Sequence, residues 1–144
     1  MGPPGSGKSF LGCELAEQGV AAFIEAHIAE VDELLWRSYC EQIRESELVV
    51  ALESNGVSHR NLLEDLQGSY RVALVHVDAA RELCIARVVT RALERNTQPA
   101  TDRETVGRFY DAWRAQIAPT YAFDLAVDGA DVDHASAGIR SLLG

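Results

Sequence analysis

Apolar residues along the chain fall into short unbroken runs and longer stripes at helical spacing, and the two alternate. Leu11 and Leu15, four apart, predict a short helix over Gly7–Gln18. The run Val20–Glu25 is too short for a helix and predicts a strand. Ile28, Val31, Leu35, Tyr39 and Ile43 then recur at steps of three and four, marking an amphipathic helix with Glu30, Glu33, Glu41 and Glu45 opposite. Leu48–Leu52 is a continuous apolar run, which predicts a strand buried on both faces. Ser58 suits the N-cap of a helix carrying Leu62, Leu63 and Leu66, with Gly68 as its stop.

Arg71–Val77 predicts the next strand. Ala79–Arg95 predicts a helix with Leu83, Ala86, Val89 and Leu93 on one stripe. The spacing Thr101-x-x-Glu104 has the form of a capping box. Behind it Val106, Phe109, Tyr110, Trp113 and Ile117 step down one helix face until Pro119. Phe123–Val127 is a last strand, Asp128-Gly129 a turn, and Asp131–Leu143 a closing helix. Alternating strands and helices of this kind predict an α/β fold: a parallel sheet with helices on both faces, joined by right-handed crossovers. Trp36, Tyr39 and Trp113 sit on or beside the stripes and are expected in the core.

Composition narrows the classes. The chain has 144 residues, 47% hydrophobic and 24% charged, which is one domain with enough apolar material for a core. Thirteen basic against 22 acidic residues leave a net charge of -9, which disfavours nucleic acid and anionic membranes as partners. No apolar run approaches the roughly 20 residues of a membrane helix. Cys13, Cys40 and Cys84 are odd in number and far apart, as expected of free thiols in a cytoplasmic protein. His59, His76 and His134 form no metal-ligand spacing.

The chemistry begins at the N-terminus. Gly2-Pro3-Pro4-Gly5-Ser6-Gly7-Lys8-Ser9 matches GxxxxGK[ST] at every position. Glycines let successive amides converge on phosphate oxygens. Lys8 brings a mobile positive charge, and Ser9 a hydroxyl suited to Mg²⁺. The following helix points its positive end at the anion. These residues predict a binding site for ATP with Mg²⁺.

With this loop, the chain resembles the P-loop small-molecule and nucleoside/nucleotide kinases, the gluconate-, shikimate-, adenylate- and uridine-kinase-like proteins often labelled AAA-family ATPases. Two further stretches carry the resemblance: VVALESNGVSHR, similar to the family's third strand and polar turn, and VHVDAARELCIARVVTR, similar to its step from strand to lid helix. The resemblance implies a three-layer P-loop fold with strand order 2-3-1-4-5 and the phosphate loop after a central strand 1. Only Met1 precedes Gly2, so strand 1 is expected to be absent from this chain, between the Leu48–Leu52 and Arg71–Val77 strands. Coding sequence for several aliphatic residues is expected just upstream. Residues 95–101 resemble the lid loop, and FDLAVDG the last strand, whose turn at Asp128 lies near adenine.

Phosphoryl transfer needs a positioned metal, neutralised charge and an oriented acceptor. Glu53 ends the most hydrophobic strand, where ligands collect in open α/β sheets, and is a candidate for Mg²⁺ or acceptor. Glu25 ends the preceding apolar run, with His27 two residues on; either is a candidate base or acceptor ligand. Asp32 and Arg37 on the next helix are further candidates for facing the acceptor. Arg87, Arg91 and Arg95, spaced at i, i+4 and i+8, share a helix face, and the resemblance implies that arginines here close on the ATP phosphates. Arg91 is the first choice and Arg87 the second. Arg60, at a helix start, is a candidate for an anionic acceptor. The expected function is ATP-dependent phosphoryl transfer to a small metabolite. The alternatives are an AAA-type NTPase without an acceptor and an inactive fragment. The acceptor's identity and the oligomeric state are not legible in these residues.

Overall fold

The computed structural model describes residues 1–25, 33–47, 49–57, 60–95 and 102–144. His27, Ile28, Glu30, Val31, Asp32, Leu48, Ser58, His59 and the lid-like loop at 96–101 lie outside the described residues, as do the side chains of Glu33, Trp36 and Leu62.

Four short strands are described, in two parallel pairs. β1 (Ala22–Ile24) pairs with β2 (Val50–Leu52), and β3 (Val75–Asp78) with β4 (Leu125–Asp128). The registers set Ile24 beside Leu52 and Asp78 beside Asp128, so all four strands end level with their neighbours. Helices α1 (Lys8–Glu17), α2 (Glu33–Glu45), α3 (Arg60–Ser69), α4 (Arg81–Glu94), α5 (Arg103–Ala112) and α6 (Val132–Leu143) fill the connections. This is the α/β alternation that the apolar pattern predicts.

Leu11 and Leu15 of α1 and Ala135 and Ile139 of α6 pack on Val77 and Val127, covering one face of the β3–β4 pair. Burying a leucine of this kind stabilises the fold by ~1.5–3 kcal/mol. His76, on the opposite face of β3, meets Trp113 and Phe123 at ring-centroid distances of 5.2 and 4.9 Å. Helices therefore lie on both sides of the sheet. Tyr39 and Trp113 are buried, as expected of core aromatics. Among the described residues no helix is long and apolar enough to cross a membrane.

Several boundaries differ from the sequence reading, each for a local reason. Strand β3 begins at Val75, four residues after Arg71, because residues 71–74 have no neighbouring strand to pair with among the described residues; the Leu74 amide instead donates to the Asp124 carboxylate at 2.7 Å. Helix α3 runs through Gly68 to Ser69. The cap of α5 is Asp102, whose carboxylate accepts from the Glu104 and Thr105 amides, in place of Thr101.

The stripe from Val106 to Ile117 is not one α-helix: it passes into a π-helical turn at Trp113–Ile117 and a 3-10 turn at Ala118–Thr120 that holds Pro119. Phe109 and Leu93, assigned to buried stripes, are 57% and 63% exposed. Helix α4 instead buries Cys84, against which Gly5 of the N-terminal loop packs, Ile85, which lies near Gly107 of α5, and Ala92.

Candidate functional site

The loop Gly2–Ser9 is folded tightly enough to bury Pro3 and Ser6 completely. Gly5 and Gly7 have φ of 81° and 101°, left-handed values that admit glycine at little cost. Gly7 also caps α1 without a side-chain bond. The first intrahelical bond runs from the Leu11 amide to the Gly7 carbonyl, so the amides of Lys8, Ser9 and Phe10 are left for an anion.

Two other elements hold the loop in place. The Arg87 guanidinium of α4 donates to the Gly5 carbonyl at 3.2 Å. The turn after β4 presses Gly129 against the loop so closely that a Cβ there would stand 1.7 Å from the Ser6 carbonyl oxygen. The Gly129 amide donates to the Asp78 carbonyl at 2.6 Å, which locks this turn to the end of β3. Asp128 is exposed at the start of the turn, and its carboxylate accepts from the Ala130 amide.

Strand β2 delivers Glu53 to the same place. Its carboxylate accepts from the Ser9 hydroxyl at 2.8 Å and lies 4.0 Å from the Lys8 ammonium. Lys8 also donates to the Pro3 carbonyl at 3.0 Å, folding back over its own loop. Burial pulls the Lys8 ammonium below its ordinary pKa; Glu53 opposes that shift and Arg91 adds to it. A phosphate arriving at Lys8 would supply negative charge to offset the hydration that burial has removed. A serine hydroxyl and a carboxylate oxygen in contact form the hard-oxygen donor pair that suits Mg²⁺, which keeps waters and phosphate oxygens as its remaining ligands.

Glu25 follows β1 and is exposed. The β1–β2 register continues through the Glu53 amide, which donates to the Ile24 carbonyl at 3.1 Å, so Glu25 and Glu53 leave the ends of adjacent strands side by side. Lys8, Ser9, Glu53 and Arg87 are thus brought together around the loop, with Arg91 close enough to act on Lys8 electrostatically. Arg95 is exposed at the end of α4. The polar contacts of Arg60 are elsewhere: it donates to the Thr120 hydroxyl at 2.5 Å and lies 5.1 Å from the Tyr121 ring centroid.

Sequence reasoning passed over the groups that shape the turn after Glu53. The Trp113 indole donates to the Asn55 carbonyl at 2.7 Å, and the Tyr121 hydroxyl to the Gly56 carbonyl at 2.5 Å. The turn at Asp128-Gly129 was read from the sequence, but its close approach to the Ser6 carbonyl was not.

No protein-family model matches the chain, and no curated protein matches it in sequence. Solved structures do match in shape. The YorR protein of Bacillus subtilis, determined in complex with phosphorylated GDP, superposes with a TM-score of 0.57 at 12% identity, covering 99% of this chain and 92% of its own. Deoxyadenosine kinase from M. mycoides, with dATP or with its products dCMP and dCDP bound, gives 0.55 at 13% identity, covering 99% and 96%. The chain therefore has the P-loop α/β fold found in nucleoside and nucleotide kinases.

Proposed function

We propose that the protein is a P-loop phosphotransferase that moves the γ-phosphoryl group of ATP onto a hydroxyl or phosphate of a small metabolite, with a nucleoside or nucleotide as the favoured acceptor class. The observation that carries this reading is the joining of Lys8, Ser9 and Glu53 across two elements, with Arg87 and Arg91 supplied by a third. The nucleotides bound by the two structural neighbours favour the acceptor class.

In this reading the amides of Lys8, Ser9 and Phe10, with Lys8 itself, cradle the β- and γ-phosphates. Ser9 and Glu53 would hold Mg²⁺, which would supply charge neutralisation at the phosphates. Arg91 and Arg87 offset the charge that develops on the transferred group. Glu25, exposed beside Glu53, takes the proton of the acceptor hydroxyl. The acceptor oxygen bonds to the γ-phosphorus, the bond from the γ-phosphorus to the β–γ bridging oxygen breaks, and ADP leaves. In this reading the turn at Asp128, whose Gly129 packs on the loop, contacts the nucleobase of ATP.

The test is ADP release with Mg²⁺ and ATP across a panel of nucleosides, nucleoside monophosphates and sugar acids. Acceleration by a nucleoside or nucleotide, abolished in Lys8→Ala, is the expected result. ADP release that no acceptor changes would refute the transferase reading. Unaltered ATP affinity in Lys8→Ala would refute the assignment of the phosphate loop.

A further inference from the structure

Helix α1 carries a large apolar side chain that the core does not use. Phe10 is 63% exposed, whereas Leu11 and Leu15 of the same helix are buried. Its ring leaves apolar surface in water that a covering group would remove. At 3.6 residues per turn each residue advances by about 100°, so Phe10 and Gly12 lie on nearly opposite sides of the helix. Gly12 meets β1, where a Cβ would stand 2.2 Å from the Phe23 ring. Phe10 therefore faces away from the β1–β2 pair, whose ends carry Glu25 and Glu53.

The same residue stands at the anion-binding end of α1. Its amide is one of the three that precede the bond from the Leu11 amide to the Gly7 carbonyl. The Cα–Cβ bonds of a helix tilt toward its N-terminus, so a long side chain in the first turn extends over the end where the anion sits.

Gly7, the N-cap three residues before Phe10, is where the turn after β4 and helix α4 reach the loop. A Cβ on Gly7 would stand 2.7 Å from the Gly129 carbonyl oxygen and 3.5 Å from an Arg87 guanidinium nitrogen. Phe10, Arg87 and the Asp128-Gly129 turn thus border one end of the phosphate loop, while Glu53 approaches it from β2 through Ser9.

We propose that Phe10 is a specificity residue for the phosphoryl donor: its ring packs on the nucleoside part of ATP and selects a nucleotide over bare polyphosphate. The proposal rests on the donor role given to the loop above. The amides of Lys8, Ser9 and Phe10 fix the phosphates, which brings the attached nucleoside within reach of the ring. An aromatic face suits that partner, because every nucleobase offers a π-face for stacking. The acceptor is the other small molecule that could cover the ring, but Glu25 and Glu53, its candidate ligands, belong to the strand pair that Phe10 faces away from.

The experiment measures the affinities of Mg²⁺–ATP and Mg²⁺–tripolyphosphate by calorimetry, for the unsubstituted protein and for Phe10→Ala and Phe10→Trp. Tripolyphosphate has the same phosphate chain and no nucleoside. Phe10 is exposed, so neither substitution disturbs the core. Phe10→Ala should weaken ATP by about fivefold or more and leave tripolyphosphate unchanged. Phe10→Trp should keep the ATP affinity, with a change in tryptophan emission on adding ATP that tripolyphosphate does not produce and the unsubstituted protein does not show. Unchanged ATP affinity in Phe10→Ala overturns the proposal. Equal weakening of both ligands also overturns it, because the loss then lies in the phosphate contacts. A raised acceptor KM at unchanged ATP affinity overturns it by placing the ring on the acceptor. An unsubstituted protein that binds tripolyphosphate as tightly as ATP overturns the role of Phe10 and leaves the phosphate loop standing. One that binds neither ligand refutes the reading of the loop, and the proposal with it.

Discussion

The buried Met1 amino group gives the stability of the 144-residue chain a definite pH dependence. In the unfolded chain the group has its ordinary pKa of 8.0; in the fold, burial and the nearby Lys8 charge bring it to about 5, with Glu53 opposing. Between those values the unfolded chain holds a proton that the native chain lacks. Stability therefore climbs as pH rises through this window, is complete above pH 8 and is lost below pH 5. The whole displacement corresponds to ~4 kcal/mol, of which about 2 kcal/mol falls between pH 5.5 and 7.5. His76, its pKa lowered chiefly by burial, adds a slope of the same sign on the acid side of 6.5. Nα-acetylation separates the two, because it removes the titrating amine and leaves His76. Urea unfolding of free and acetylated chains across this range should give a steeper rise for the free chain, by about 2 kcal/mol. Parallel profiles, or an N-terminal amine that titrates near 8 by NMR, would refute the burial of the Met1 amino group, which donates to the Val75 carbonyl at 2.6 Å.

Three substitutions test the site and its supports. Glu53→Gln keeps an acceptor for Ser9 but removes the charge beside Lys8, so ATP affinity measured by calorimetry with Mg²⁺ should fall by about tenfold while Mg²⁺-free affinity changes less; an unchanged ratio contradicts the metal assignment. Gly129→Ala drives a Cβ into the Ser6 carbonyl and should destabilise the fold by ~3 kcal/mol or more, read as a lowered thermal midpoint; a wild-type midpoint contradicts the tight packing of the turn. Trp113→Phe loses the bond to the Asn55 carbonyl and should lower stability by ~1–2 kcal/mol in urea titration, with faster exchange at the Gly56 amide, which donates to Ser54; unchanged exchange places the control of that turn elsewhere.

The parts of the fold that were readable from sequence share one property: each depends on spacing along the chain. The phosphate loop is eight consecutive residues, and Lys8 and Ser9 follow from it. The strands are runs of branched and aliphatic residues, and their parallel pairing follows from the helices between them. Glu53 was readable because a strand end is a local feature with a known place in an α/β sheet.

What escaped depends on partners distant in sequence. Arg60 was placed toward an anion because nothing near it in sequence discloses Thr120 and Tyr121, which take its guanidinium. Leu93 and Phe109 fit helical stripes by periodicity, yet the burying surface is set by where the loop meets Cys84 and where Trp113 meets His76. The π-helical turn is silent in the pattern, since one backbone bond shifted by a residue leaves the apolar steps nearly in phase. Trp113 shows what that shift holds in place. It lies where the π-helical turn begins, packs on His76 of β3 and donates to Asn55, two residues beyond Glu53. A side chain classed as core by its spacing thus ties the β3 side of the molecule to the turn that carries the carboxylate. A variant at Trp113 should therefore move both stability and the geometry of that turn.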